Sequence, residues 1–422
     1  MIKNTKSLLA VKNEATRERR KIVLEIIEHV MTVTSPHALL EKNIGKLNID
    51  KYKKVIVIAI GKAARTMADA CVEILKRKPD EILYADSGHP LPTISGITKT
   101  KKIINAAKKL TENDLAIVLL SGGGSAMFVQ PAEGITLEDK IETTRTLLLC
   151  GATINEINCV RKHLSQVKGG RLSKLLYPAY VKGFVISDVV GNDLSTIASG
   201  PLSADKTTFK DALKILTKYK APVPNTVYKF IENNVGFSEN ESIKPNDDIL
   251  KKVSVEIVAD HFSALNAAEE KAKSIASNTK HKVIVQKKML TGEARKVGPA
   301  ITKKTPKNAI LIACGETTVT CCENPGSGGR NQEFVLSTID GLKHDQTVAS
   351  FGTDGIDGMC PEKVAGALVD EEVIIVATKS KLIKDEFLSK NDSYAFFKQA
   401  GGQIITGSTG NNLGDIVLSV RG

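Results

Sequence analysis

Two uninterrupted apolar runs, residues 55–60 and 115–120, and a third strong strand run at 181–186 constrain this chain more than any other feature. A strand with one solvated face alternates apolar and polar side chains; a run without alternation is buried on both faces, the signature of a parallel sheet flanked by helices. Each run stops abruptly in small or polar residues. The first enters Gly61-Lys62-Ala63-Ala64, after which residues 64, 67, 68, 71, 72 and 75 are apolar at helical spacing. Lys62 is therefore expected where a strand ends and a helix begins, the edge at which open α/β sheets bind ligands; a plain surface lysine is the alternative. The second run delivers Ser121-Gly122-Gly123-Gly124-Ser125, an anion site or a tight turn, and not a P-loop, because no Gly-Lys-Ser/Thr closes it. The third ends in Ser187-Asp188-Val189-Val190-Gly191-Asn192-Asp193. Asp188 and Asp193 can hold Mg²⁺ directly or through water, and an Asx turn or helix N-cap accounts for them equally well.

The same alternation continues in the second half, with strands expected at 253–258, 282–285, 309–312, 347–351 and 416–420 and a helix at 263–276. Its centre is Gly326-Ser327-Gly328-Gly329-Arg330-Asn331-Gln332-Glu333, followed by an apolar run that reads as a helix. Glycines there free the backbone to press N–H groups on an anion at a helix N-terminus, and Arg330 adds a rigid fork of donors; a flexible loop is the plain alternative. Gly352-Thr353-Asp354-Gly355-Ile356-Asp357-Gly358 repeats the strand-to-glycine pattern with two aspartates. At 422 residues two domains are expected. The polar stretch 237–248 serves as linker, giving residues 1–240 and 249–422, with the helix at 14–33 packing on either. The fold class is α/β: two Rossmann-like αβα domains with a cleft between them.

Net charge is +12, with lysine dominating, yet no aromatic-rich basic stripe or nucleic-acid motif is present. A solvated lysine surface, not a nucleic-acid partner, is the reading. Only 11 residues are Arg, and Arg161, Arg171 and Arg330 lie in glycine-rich or polar segments where bidentate anion binding favours Arg over Lys; the basic clusters 161–165 and 168–171 also suit a domain hinge. Seven scattered cysteines without C-x-x-C read as reduced, mostly buried thiols, with no zinc site. No apolar run approaches the roughly 20 residues of a membrane span, and residues 1–4 open no signal sequence, so a cytoplasmic location is expected.

Glycine turns, isolated cations and aspartates at strand ends make up the set that phosphoryl transfer requires, since its transition state needs positioning and charge neutralisation. A nicotinamide enzyme would show G-x-G-x-x-G after a strand, and none is present. The motifs also carry a resemblance. Residues 59–64, 120–126, 161–171 and 193–201 resemble the N-terminal domain of class II glycerate kinases; residues 315–319, 328–333 and 352–358 resemble that family's C-terminal MOFRL domain. The resemblance implies ATP- and Mg²⁺-dependent phosphorylation of D-glycerate, at the 2-hydroxyl, with the family's essential lysine and arginine falling on Lys62 and Arg330. Catalysis is then expected from Lys62, Arg330, Asp188 and Asp193. Phosphate binding is expected from Ser121, Gly122, Gly123, Gly124, Ser125, Gly328, Gly329 and Asp354, and substrate binding from Lys62, Arg161 and Arg330. Asp188 and Asp193 are the metal candidates. A hydroxypyruvate reductase or a kinase of another small hydroxy acid is the alternative, and a monomer or homodimer the expected state.

Overall fold

The computed structural model describes residues 2–189 and 191–422; Met1 and Val190, the latter in the loop with the candidate metal acids, lie outside the described residues. The chain forms two compact units, one of Leu40–Val258 and one of Met1–Leu39 with Ala259–Gly422.

In the first unit, β1 (Val55–Ile60), β2 (Glu81–Ala85), β3 (Leu115–Leu120), β4 (Tyr180–Ile186) and β5 (Val253–Ala259) form a sheet in the order β2-β1-β3-β4-β5. β1 runs parallel to β2 and β3, and β3 parallel to β4. Every residue of β1 and β3 is buried, as their unbroken apolar sequence requires. Ile56, Ile58, Ile60, Val118 and Leu120 share a core with Ile103 and Ile104 of the helix Ile94–Ala107. A second apolar cluster joins Leu147, Ile157, Val160, Phe209, Leu216 and Ile231, which come from four helices. Three of those helices start at threonine capping boxes, Thr136 with Asp139, Thr153 with Glu156 and Thr208 with Asp211, each satisfying backbone donors that the first turn leaves orphaned.

β5, expected to open the second domain, is the edge strand of this first sheet. Its Val253, Val255 and Ile257 pack on the first core, and Val255 lies close over β4: a Cβ added at Gly183 would be 3.2 Å from it and 2.8 Å from Leu202. The stretch 237–248 therefore lies inside the first unit, with the division after β5.

The second unit holds β6 (Lys282–Glu293), β7 (Ala309–Thr318), β8 (Gln346–Gly352), β9 (Gly366–Val369), β10 (Gln403–Ile404) and β11 (Asp415–Arg421), in the order β10-β9-β8-β11-β7-β6. Only β6 and β7 are paired in parallel. β11 lies antiparallel between β7 and β8, and β8, β9 and β10 pair antiparallel in turn. Alternating strands and helices thus build a mixed sheet here and a parallel one in the first unit. The helix Glu14–Val33 belongs to this second unit. Its Arg20 meets Asp370, which caps the helix Glu371–Lys379, through two hydrogen bonds of 2.7 Å, with both side chains buried.

All seven cysteines are free: Cys71, Cys159 and Cys314 are buried, Cys150 and Cys360 half-buried, and Cys321 and Cys322 exposed. Burial is therefore less general among them than expected. Among the described residues no helix is long and apolar enough to cross a membrane.

Removing one member of a buried ion pair strands the other charge in a low dielectric. Arg20→Met should therefore cost about 3–5 kcal/mol in denaturant unfolding; a change below about 1 kcal/mol would show that the pair does not anchor the N-terminal helix.

Candidate active site

The ends of β1 and β3 are locked together. The amide of Ser121 donates to the Ile60 carbonyl at 2.9 Å, that of Lys62 to the Gly122 carbonyl at 2.9 Å, and that of Ala63 to the Ser121 hydroxyl at 3.0 Å. The contact is so close that a Cβ on Gly61 would lie 2.4 Å from Ser121 Oγ, and Gly61 also takes a positive φ of 111°; glycine is required on both counts. Lys62 is exposed, and a Cβ added on Gly123 would lie 3.3 Å from its Cγ, 3.6 Å from its Cε and 3.0 Å from the His89 ring. The His89 imidazole is held below its usual pKa by burial and then by the Lys62 charge. Ser125 Oγ lies 2.9 Å from Ser199 Oγ, which donates to Asn158 at 3.2 Å. Among the described residues no protein group accepts from the amides of Gly122, Gly123 and Gly124, although Gly122 and Gly124 are buried. Buried amides without partners are rare in folded proteins, so this turn has donors to offer an anion.

The loop after β4 brings its own turn to the same edge. Ala198 and Ser199 have φ values of 52° and 60°, an unusual conformation for non-glycine residues in succession and a store of strain. A Cβ on Gly124 would lie 2.8 Å from Ala198 Cβ, so the two turns pack without space between them. Asp188 and Asp193 are both exposed. Asp193 accepts from the Ser195 amide at 2.9 Å, the Ser195 hydroxyl at 2.8 Å and the Thr196 hydroxyl at 3.0 Å. Burial pushes its carboxyl up, but these bonds outweigh it and hold Asp193 below the usual carboxylate range; the turn function and an ionised oxygen donor coexist. Among the described residues no cluster of three or more His, Cys, Asp or Glu is assembled for a metal. Mg²⁺ commonly takes one or two protein carboxylates together with phosphate oxygens and water, and a pair of aspartates at a strand end fits that mode.

Next to these turns a cavity of about 600 Å³ opens, lined by His89, Gly123, Ser125, Lys140, Arg161 and Lys168 and by apolar side chains at its mouth. Lys140 is buried, and its ammonium meets only the carbonyls of Leu164 at 2.8 Å and Arg161 at 3.4 Å. Lys168 is 1% exposed and meets only the carbonyls of Phe128 at 3.1 Å and Ala198 at 3.4 Å. Burial, followed by the charges of Arg161 and Arg171, pulls Lys140 down to about 7; burial and the Lys140 charge push Lys168 down as well. The other basic residues of this segment are spoken for: Lys162 pairs with buried Asp205 at 2.7 Å, and Arg171 donates to the carbonyls of Lys162 and Asn240. The basic clusters therefore divide, with Arg161 and Lys168 on the cavity and Lys162 and Arg171 holding the fold. Lys140 belongs to no motif of the sequence and stands among Glu138, Asp139 and Glu142.

The arginine loop in the second unit is organised differently. The amide of Gly326 donates to the Lys390 carbonyl, that of Ser327 to Asp392, and that of Gly328 to the Met359 carbonyl. The N-terminus of the helix Arg330–Ser337 is occupied by buried Asp357, whose carboxylate accepts from the amides of Asn331 and Gln332 at 2.9 and 2.8 Å and from both side-chain amides. A Cβ on Gly329 would lie 2.4 Å from Asp357 Oδ1. Gly329 thus lets Asp357 reach the helix, while Gly326 and Gly328 make room for Asp392 and Ser393, and most of the amides expected to cradle phosphate are already engaged. Asp354 accepts from the Ile356 amide at 3.0 Å. Arg330 is gripped by Asp415 through Nε and Nη2 at 2.5 and 3.1 Å and by Glu316 at 2.7 Å. Burial pushes Asp415 up to about 6 against the pull of Arg330.

Gly61→Ala should separate the ends of β1 and β3, displacing Lys62. It is expected to abolish most activity and to lower the unfolding midpoint; a variant with unchanged turnover would show that the interlock does not position the site.

Comparison with known proteins places the whole chain. A family described as a domain of unknown function, DUF4147, matches residues 21–232, and the MOFRL family matches residues 309–415. A D-glycerate 2-kinase of Thermotoga maritima is 36% identical, over 95% of this chain and 98% of its own length. A relative from Agrobacterium vitis, 38% identical over 86% of this chain and 98% of its own length, carries the provisional name hydroxypyruvate reductase. A crystal structure of a glycerate kinase from Thermotoga maritima superposes with a TM-score of 0.82 at 35% identity, covering 95% of this chain and 99% of that one. With similarity running along nearly its entire length, this chain belongs to the class II glycerate kinase family.

Proposed function

We propose that the protein transfers the γ-phosphoryl group of ATP to the 2-hydroxyl of D-glycerate, giving 2-phosphoglycerate and ADP. Family membership supports the reaction, and one observation carries its location: Lys62 stands beside a turn whose buried amides have no protein acceptor. In this reading Ser121, Gly122, Gly123, Gly124 and Ser125 hold phosphate oxygens, and Lys62 and Arg330 neutralise charge on the migrating group. The glycerate hydroxyl oxygen forms the new bond to phosphorus as the bond between phosphorus and the β-bridging oxygen breaks, and the hydroxyl proton leaves to a carboxylate. One of Asp188 and Asp193 takes that proton or serves as a ligand for Mg²⁺, directly or through water; Asp193 is held by three donors of its own turn. Mg²⁺, when bound with the nucleotide, neutralises charge on its β- and γ-oxygens. In the second unit, Gly329 makes room for Asp357 and Gly328 for Ser393, and Asp415 fixes the guanidinium plane of Arg330.

Phosphorus NMR of the product formed from D-glycerate, ATP and Mg²⁺ should show 2-phosphoglycerate. The 3-phosphate would contradict the regiochemistry, and NADH-dependent reduction of hydroxypyruvate without phosphorylation would overturn the assignment. Lys62→Ala and Arg330→Ala should each lower kcat by roughly 10³-fold or more with the fold retained by circular dichroism; near-normal turnover in either would remove that residue from the mechanism.

A further inference from the structure

The cavity beside the glycine turns is divided by chemistry. Its floor carries the two buried ammonium groups of Lys140 and Lys168 together with Arg161, whose Nε meets only the Thr144 hydroxyl at 3.3 Å. None of the three has a carboxylate partner among the described residues, whereas nearby Lys162 does. Placing several cations in a low-dielectric pocket without counter-charge is costly, and an anionic ligand relieves that cost. The exposed rim carries an apolar stretch, Pro90, Pro92, Leu148 and Leu149, beside the charged Glu142 and Arg145, and Leu149 is 79% exposed to solvent. One helix, Leu137–Leu149, connects the two ends, with Lys140 in its first turn and Leu148 and Leu149 in its last. At 1.5 Å per residue the eight residues from Lys140 to Leu148 span about 12 Å, enough to separate a polyanion from a flat ring. Glycerate fills neither an apolar mouth nor 600 Å³.

We infer that this cavity is the nucleotide subsite, with the phosphate chain of ATP or ADP on Lys140, Lys168 and Arg161 and the base against Leu148, Leu149 and the prolines. The inference rests on the kinase reading for its choice of nucleotide. It adds Lys140 and Lys168 as phosphate-binding residues and gives Arg161, expected to bind substrate, to the nucleotide. Gly123 and Ser125 line the same cavity, so a phosphate chain rising from the floor leads to the turn beside Lys62.

The test is calorimetric titration of the full chain with ADP and with inorganic tripolyphosphate. Lys140→Met should weaken both at least tenfold. Leu149→Ser, an exposed change at a helix end, should weaken ADP severalfold and leave tripolyphosphate unchanged. ADP binding as tight as wild type in either variant overturns the inference, as does a Lys140→Met protein that loses affinity for D-glycerate alone. Should Lys140→Met not fold, Leu149→Ser decides alone, equal effects on the two ligands counting against the subsite. A wild-type protein that neither binds ADP nor phosphorylates glycerate refutes the kinase reading itself; intact turnover with both variants binding ADP normally refutes only the subsite.

Discussion

Everything at the first unit's ligand edge depends on how closely β1 and β3 end beside each other. Parallel strands finish at a common edge, but here the two exits share hydrogen bonds: Ser121 N–H to Ile60, Lys62 N–H to Gly122, and Ala63 N–H to the Ser121 hydroxyl. Two consequences follow from a separation that admits no Cβ at Gly61. Lys62 is delivered next to Gly123, and the glycine turn bends away so sharply that its amides find no strand or helix partner. A third turn, strained at Ala198 and Ser199, packs on Gly124 and closes the arrangement. The positive charge and the free donors are thus products of one backbone constraint.

The two units treat cationic side chains in opposite ways. Arg330 is held by two carboxylates, one of them buried Asp415, so its guanidinium has a set plane before any ligand arrives. Charge pairing of this kind fixes the orientation of the guanidinium. Lys140 and Lys168 sit on backbone carbonyls, neither paired with a carboxylate among the described residues, and burial and then neighbouring positive charges pull both below the usual lysine pKa. Such groups gain most from an incoming anion.

Much of this was legible in the residues alone, for reasons that can be named. The runs 55–60 and 115–120 are apolar without alternation, so burial on both faces and parallel pairing follow, and the position of Lys62 follows from them. The sheet membership of β5 was not legible, because Val253, Val255 and Ile257 alternate in a way that suits any edge strand. β9 and β10 have only four and two residues, too few for a pattern. The glycines before Arg330 looked like a phosphate cradle because their competitors are distant in sequence: Asp357 and Asp392 take the amides from 25 to 65 residues away. Lys140 was hidden by its acidic neighbours, and only tertiary packing shows that it points inward. Asp193 read equally as metal ligand or turn former, and its three short-range bonds show the turn without removing its charge.

The central claim is that Lys62 and Arg330 act on one migrating phosphoryl group. A crystal structure of the protein with ADP, Mg²⁺, aluminium fluoride and D-glycerate tests it directly. The account predicts Lys62 Nζ and an Arg330 nitrogen each within about 3 Å of the same aluminium fluoride moiety. A complex in which either cation is directed elsewhere, with the fluoride held by other groups, would contradict it.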